Sequence, residues 1–577
     1  MAERAANMKL IFNGIDFATG DYAIPPMEID AFVELVKRQS DPPNWNELKS
    51  RKRLLEGRDF APIEGVDPKK LEESGWGVIF PHNIDEAIVA ALKPLLDLRK
   101  GQASKIKENR YREYSGGLRG FQAPSDTKND WLSRNKADGG GAVDPDQMPY
   151  YLMIVGSPVD IPFTFQYQLD VQFAVGRLHF DAVEDYALYA QAVVAAETGG
   201  LAVAKRAVFF GVSVDNDPAT MLSSSELTIP LAEQMQADQP GWTVETIIGQ
   251  DANKARLARL MGGDDTPALL FTASHGMQVA MDDPAQFKNM GALLCAEWPG
   301  PGMSPKPMPE KFYFGGDDIL SQANLAGLIA FHFACFGGGT PTHDDFVREG
   351  AKEPKQLAAQ PFVAHMPQRL LRGGALASVG HVDRAWAYAF KSESGSSQVR
   401  IFKSTMKRLM EGHPIGSALE YFNNRYAELG SDVAQQIRAA RFGTAPDPFD
   451  LSYRWLITQD ARNYAVMGDP AVRLFVTDDA RQVKRPVPQA IAFAGPVPEP
   501  AANEPVAAKT LEVTTYTSPD PAGVKFSSEA IAGATLQAIT RIDAHGNITN
   551  VLMEKLDATV ARVHADLVAK AMDRQRG

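Results

Sequence analysis

Two apolar runs in this chain end in residues able to do covalent chemistry. "PALLFTASHG" (267–276) ends in His275-Gly276, and "GLIAFHFACFGGG" (327–339) delivers Cys335, followed by Phe336 and three glycines. A thiol is mostly protonated near neutral pH, and its thiolate is the nucleophile. A nearby imidazole can take that proton, or protonate a leaving amine. Gly276 has no Cβ, so its N–H can approach a substrate carbonyl closely. Paired with the Cys335 N–H, it makes a candidate oxyanion hole. His545-Gly546 repeats the dipeptide but reads as a hairpin turn between polar strands. Cys295, the second of two cysteines, falls in a Pro/Gly-rich insertion and reads as a packed thiol.

The elements around these residues must bring the imidazole and thiol together. Short apolar segments at 206–214, 242–249, 267–276, 327–339 and 375–382 read as strands, and 226–238, 251–263 and 357–374 read as helices between them. Such alternation implies right-handed crossovers and a mainly parallel sheet covered on both faces. Ligands of such sheets bind outside the carboxyl ends of the strands, where His275 and Cys335 would stand together. Upstream, 75–81 and 150–163 read as strands, 83–100 and 181–197 as helices, and 101–147 as a long polar loop. Helices are expected at 396–411, 415–429 and 431–441, and a strand-turn-strand at 463–476. The spacing gives five regions: an N-terminal α/β region (1–147), an upstream subdomain (148–200), a main α/β domain (201–480), a Pro-rich linker (481–508) and a β-hairpin-plus-helix module (509–577).

Composition narrows the function classes. The chain has 577 residues, 44% hydrophobic and 23% charged, and a net charge of −12. These values fit a globular protein and exclude a disordered or collagenous one. No basic tract offers a nucleic-acid surface. No apolar run approaches a membrane span or a secretory signal, so a soluble cytoplasmic protein is expected. Two cysteines cannot build a disulfide framework, which fits a reducing compartment. No zinc spacing exists. Asp282-Asp283 and Asp317-Asp318 are weak calcium candidates without EF-hand spacing, so no cofactor is expected. "FGGGT" lacks the Gly-Lys-Ser/Thr of a phosphate-binding loop.

The strand–His-Gly and strand–Ala-Cys pair resembles the caspase–gingipain group of cysteine peptidases, clan CD, and most of all its gingipain-like family. Three further stretches carry the resemblance across roughly 150–476. "YYLMIVGSPVDIPF" with "LDVQFAVGRL" resembles the upstream subdomain ending in Val-Gly-Arg. "GHPIGSALEYFNNRY" (412–426) resembles the Gly-x-x-Ile-Gly-x-Ala-Leu helix. "NYAVMGDPAVRL" resembles the Gly-Asp-Pro-Ala-x-Arg-Leu terminus. The resemblance implies a caspase-like three-layer α/β/α sandwich, with His275 as catalytic histidine, Cys335 as nucleophile, and Gly276 and Cys335 amides holding the oxyanion. It also implies a weak preference for a basic residue at the cleavage position. The 60-residue His-to-Cys separation is long for the group, because of the 277–322 insertion, which reads as a lid, an exosite, a cleavable activation loop or a surface loop.

A pocket for a basic side chain needs a carboxylate, and one for an acidic side chain needs an arginine. Asp170, Asp383 and Arg384 are candidates, and Trp386 is a candidate pocket wall. His332 should face away from Cys335, because strand side chains alternate. The expected activity is a cysteine endopeptidase acting on a protein or peptide substrate. The alternative is a catalytically silent caspase-like scaffold that binds a partner protein through its C-terminal module.

Overall fold

The computed structural model describes residues 9–38, 62–344, 354–390, 399–479 and 485, apart from 125, 138, 140, 264, 388 and 445. It also describes the backbone of 528–531, 534–542 and 548–554. The chain divides into two units, 1–493 and 494–577.

The first unit is built on a ten-stranded sheet. In chain order its strands are β1 (Trp76–Ile79), β2 (Tyr111–Tyr114), β3 (Tyr151–Val155), β4 (Ala174–Leu178), β5 (Arg206–Gly211), β6 (Thr243–Ile248), β7 (Leu269–Ala273), β8 (Ile329–Phe333), β9 (Ala377–His381) and β10 (Tyr464–Gly468). Across the sheet they run β6-β5-β7-β8-β9-β10-β4-β3-β1-β2. β6, β5, β7, β8 and β9 pair in parallel, and β10 is antiparallel to β9. β4, β3, β1 and β2 also pair in parallel.

Alternation of side chains across these strands covers both faces. Phe209, Phe271, Phe331 and Phe333 enter one core with Leu231, Met235, Phe402 and Phe422. Val208, Phe210, Leu270 and Ala330 enter another with Leu257, Leu260, Met366 and Leu370. Helix residues supply both partner sets, which makes the molecule a mainly parallel, caspase-like α/β/α sandwich. Burying all four aliphatic or aromatic groups of either strand set contributes about 1.5–3 kcal/mol per side chain, before the entropy of ordering.

Several elements differ from the sequence reading. The polar loop expected at 101–147 contains β2 and a short helix, Lys128–Arg134, capped by Thr127 and Asp130. β2 pairs with β1, and β1 with β3, so the N-terminal region shares the main sheet. The two helices expected at 415–429 and 431–441 are Ile415–Ala418 and one long helix, Glu420–Arg441, which runs through Gly430. The helix expected at 251–263 runs from Lys254 to Leu260 and is capped by Asn253, whose side chain accepts from Arg256 N–H. The 277–322 insertion is not a surface loop. Leu293, Leu294, Cys295, Trp298, Phe312 and Phe314 all pack into the second core.

The second unit contains a three-stranded antiparallel sheet, Ser528–Ile531, Ala534–Ile542 and Ile548–Glu554. The expected strand at 509–517, the turn at His545–Asn547 and the helix at 557–575 lie outside the described residues, as does all but residue 485 of the Pro-rich stretch 485–505.

Candidate active site

His275 and Cys335 follow β7 and β8, which pair in register from Leu269↔Ile329 to Ala273↔Phe333. Gly276 packs on the Cys335 backbone so closely that a Cβ on it would lie 1.8 Å from Cys335 O and 2.7 Å from Cys335 N. Only glycine fits there, which gives the His-Gly dipeptide a steric reason. Among the described residues, neither the Gly276 N–H nor the Cys335 N–H donates a hydrogen bond to another group of the chain. The turn after Cys335 is tight. Phe336 has φ +58° and donates its N–H to Asp383 O at 2.6 Å, and Asp383 has φ +92°. Two non-glycine residues in the left-handed region cost of order 1–3 kcal/mol each and cluster at functional sites.

The imidazole is held from both sides. Its Nε2 lies 2.8 Å from Asp217 Oδ2, and its Nδ1 accepts the Gly14 N–H at 3.0 Å. An amide can only donate, so Nδ1 carries the lone pair and Nε2 the proton given to Asp217. Asp217 follows β5, the strand beside β7, and caps the helix Pro218–Ser223 by accepting from Ala219 and Thr220 N–H. It also accepts from the Tyr22 hydroxyl. Burial alone would raise its carboxyl, but the electrostatic attraction of His275 and the bonds from His275, Tyr22 and Thr220 hold it well below the usual carboxylate range.

Cys335 Sγ accepts the Ala385 N–H at 3.3 Å and lies 3.6 Å from Ala385 O. Burial pushes the thiol up to about 12, against the lowering pull of Arg384 and the Ala385 N–H. His275, Asp217 and Cys335 are each 0% exposed, so the site is closed in this state. Closure comes from the insertion and the N-terminal residues: the Trp298 ring lies 5.8 Å and the Tyr22 ring 5.9 Å from the imidazole.

The specificity candidates separate. Arg384 is 1% exposed and bonds through Nη2 to Asp344 Oδ2 (2.8 Å) and Gln278 Oε1 (3.0 Å), while its guanidinium stacks 5.5 Å over Phe336. Its Nε and Nη1 have no hydrogen-bond partner among the described residues. Asp383 precedes it and supplies the carbonyl that fixes Phe336. Trp386 packs on Phe12 and Trp455, walling the N-terminal segment rather than the thiol. Asp170 does not join the site. It ends the helix Phe163–Asp170, takes a hydrogen bond from Val175 N–H, and belongs with β4, three places from β8 in the sheet. Burial raises its carboxyl well above the ordinary range.

His332 bonds Thr272 at 2.8 Å and, by strand alternation, faces the opposite side of the sheet from Cys335. Cys295 is buried in the second core, and burial pushes its thiol up. Asp317 pairs with Lys288 and His365, and Asp318 with Lys254, so cations already balance one of the two weak calcium candidates. No group of three or more His, Cys, Asp or Glu side chains among the described residues is arranged to hold a metal ion. No helix among them is long and apolar enough to cross a membrane.

Asp217, Tyr22 and Gly14 were not singled out by the sequence reading. Asp217 was within reach of it: Asp217-Pro218 directly follows an apolar strand of the same parallel set, at the ligand-binding edge.

No protein-family model matches the chain, and no curated protein matches it by sequence. Similar folds occur among solved structures. One, described as "Structure of Protease", has 12% identity over 84% of this chain and 92% of its own, with a TM-score of 0.40. The complex of Porphyromonas gingivalis RgpB pro- and mature domains has 14% identity over 69% of this chain and 79% of its own, with a TM-score of 0.37. The Saccharomyces cerevisiae separase–securin complex has 9% identity over 69% of this chain and 23% of its own, with a TM-score of 0.28.

Proposed function

We propose that this protein is a cysteine endopeptidase working through His275 and Cys335. The observation that carries the reading is their arrangement at the ends of adjacent parallel strands, with an Asp217-oriented imidazole whose unprotonated nitrogen and the thiol both face the backbone of residue 14.

The chemistry follows from the atoms present. Nδ1 of His275 takes the Cys335 proton, and Asp217 stabilises the resulting imidazolium through Nε2. Sγ attacks the scissile carbonyl, whose oxygen is met by the Gly276 and Cys335 N–H groups. The C–N bond breaks as Nδ1 returns the proton to the leaving amine. Water then hydrolyses the thioester and frees Cys335. The substrate is a protein or peptide, no cofactor takes part, and the reaction belongs in the cytoplasm.

The resemblance gives a weak preference for a basic residue at the cleavage position, with Asp383 as the nearest candidate carboxylate. One observation favours an acidic residue instead: the buried Arg384 leaves Nε and Nη1 without a partner among the described residues, beside the thiol. The scaffold alternative, with a partner on the C-terminal module, also has an observation in its favour, because the thiol is buried and held protonated.

A peptide-library digest with mass spectrometry, run with the wild type and Cys335→Ala, tests all three. Cleavage that requires Cys335 is expected, and the residues flanking the cut report the charge preference. Equal cleavage by Cys335→Ala would overturn the peptidase reading.

A further inference from the structure

Besides Trp298 of the insertion, the groups that close the site come from residues 12–22. Residues 12–15 are buried. Ile15 and Asp16 pair in parallel with Met277 and Gln278, directly after His275-Gly276. Ile15 N–H donates to Gly276 O at 3.2 Å, and Phe17 N–H to Gln278 O at 2.9 Å. Gly14 stands between imidazole and thiol: its N–H is on His275 Nδ1, and a Cβ built on it would lie 3.3 Å from Cys335 Sγ. The Tyr22 hydroxyl reaches Asp217. Phe12 anchors the segment between Phe32 and Trp386. One short stretch therefore touches His275, Asp217, Gly276 and Cys335.

Main-chain pairing along a strand edge is a common way to bind an extended peptide, with affinity from the backbone bonds. We propose that the edge of Met277–Gln278, headed by His275 and Cys335, is a cleft for an extended peptide, and that residues 12–17 of this chain fill it in the resting protein. The proposal rests on the peptidase reading for what replaces the segment. The Gly14 N–H holds the place of a leaving amide nitrogen on Nδ1. Glycine serves here because φ is +102° and the thiol leaves no room for a side chain. A substrate enters only when the segment leaves, and its leaving also uncovers the thiol.

Hydrogen–deuterium exchange at residues 12–17 and iodoacetamide alkylation of Cys335, located by mass spectrometry, test the proposal in the full chain. Gly14→Val strains the segment, and Tyr22→Phe removes the hydroxyl that reaches Asp217. Gly14→Val is expected to speed both readouts roughly tenfold or more, and Tyr22→Phe roughly two- to fivefold. A synthetic peptide of residues 9–28 should slow the alkylation of Gly14→Val back towards the wild-type rate. Tyr22→Phe decides the matter if Gly14→Val does not fold. The proposal is overturned if residues 12–17 exchange freely while alkylation stays at the wild-type rate, or if a folded Tyr22→Phe changes neither readout. It is also overturned if the peptide leaves Gly14→Val unprotected. Faster alkylation with no peptide cleavage would sink the peptidase reading and leave the filled cleft. Cleavage that depends on Cys335, with alkylation unchanged in the variants, would do the reverse.

Discussion

Two buried arginines divide the molecule by role. Arg177, on β4, is fully buried and spends its guanidinium on Gln166 Oε1, Gly156 O and Ile161 O, at 2.7–2.9 Å. It clamps the loop between β3 and the next helix. Nearby, Asp469 of the Gly-Asp-Pro stretch joins Trp76 Nε1, Arg99 Nε and its own turn at Ala471. Arg384, in the other half of the sheet, is as deeply buried but leaves two nitrogens without acceptors among the described residues, beside a thiol. A buried cation whose donors are all taken fixes a backbone. One that keeps donors free stores an unmet demand for an acceptor. Two of the motifs that carried the family resemblance, Val-Gly-Arg and Gly-Asp-Pro, thus belong to scaffolding, and the chemistry sits elsewhere.

Perturbing the two regions should give different phenotypes. The largest expected effect is at the thiol: Cys335→Ala should lower peptide cleavage roughly a thousandfold or more, to background, while leaving the denaturation midpoint nearly unchanged. Asp469→Ala should do the opposite. It leaves the buried Arg99 guanidinium short of a partner and should cost about 3–5 kcal/mol in urea unfolding, with the Cys335-dependent cleavage pattern retained by whatever fraction stays folded. A stable Asp469→Ala protein that had lost activity would erase the distinction.

Asp217→Asn lies between these cases, because Asp217 both caps a helix and orients the imidazole. Cleavage is expected to fall roughly 10- to 100-fold. Stability gives a second readout with a definite sign. The Asp217 carboxyl is depressed in the folded state, so its stabilisation is fully present above the ordinary carboxylate range and is lost as pH falls through it. Acid unfolding of the wild type below pH about 4 should therefore be steeper than that of Asp217→Asn. The smallest effect is expected at Arg384→Lys, which keeps the charge opposite Asp344 but loses the fork. If Arg384 reads a substrate carboxylate, cleavage beside acidic residues should drop roughly tenfold relative to other sites. An unchanged cleavage profile would return the choice to a basic side chain.

How much was legible in the sequence follows the same division. The strands β5, β7, β8 and β9 announce themselves because both faces are buried and, Arg206, His332 and His381 excepted, their residues are apolar or small. β2, "YREY", does not, because it is a half-exposed edge strand with alternating charge. The helix Pro448–Asn463 carries a readable cap in Asp447-Pro448, which the sequence reading passed over. His275 and Cys335 were readable because strand order and residue type point the same way. Asp217 was hidden behind its second job as a helix cap. The segment around Gly14 was hidden for a different reason: a short apolar run, Leu10 to Phe12, and an Asn-Gly carry no sign of a partner lying 261 residues away.

That separation has a consequence for how the protein comes into being. Residues 12–22 are made long before the groups they dock on, since Gly14 needs His275, Tyr22 needs Asp217, and the Phe12–Trp386–Trp455 stack needs the helix that ends at Asn463. Non-local contacts of this kind form late, after the closure entropy of the intervening chain has been met. Cleft and occupant are therefore completed together, and a chain truncated before residue 455 would keep the strand pairing of Ile15 and Asp16 but lose the Trp455 side of the stack that anchors Phe12.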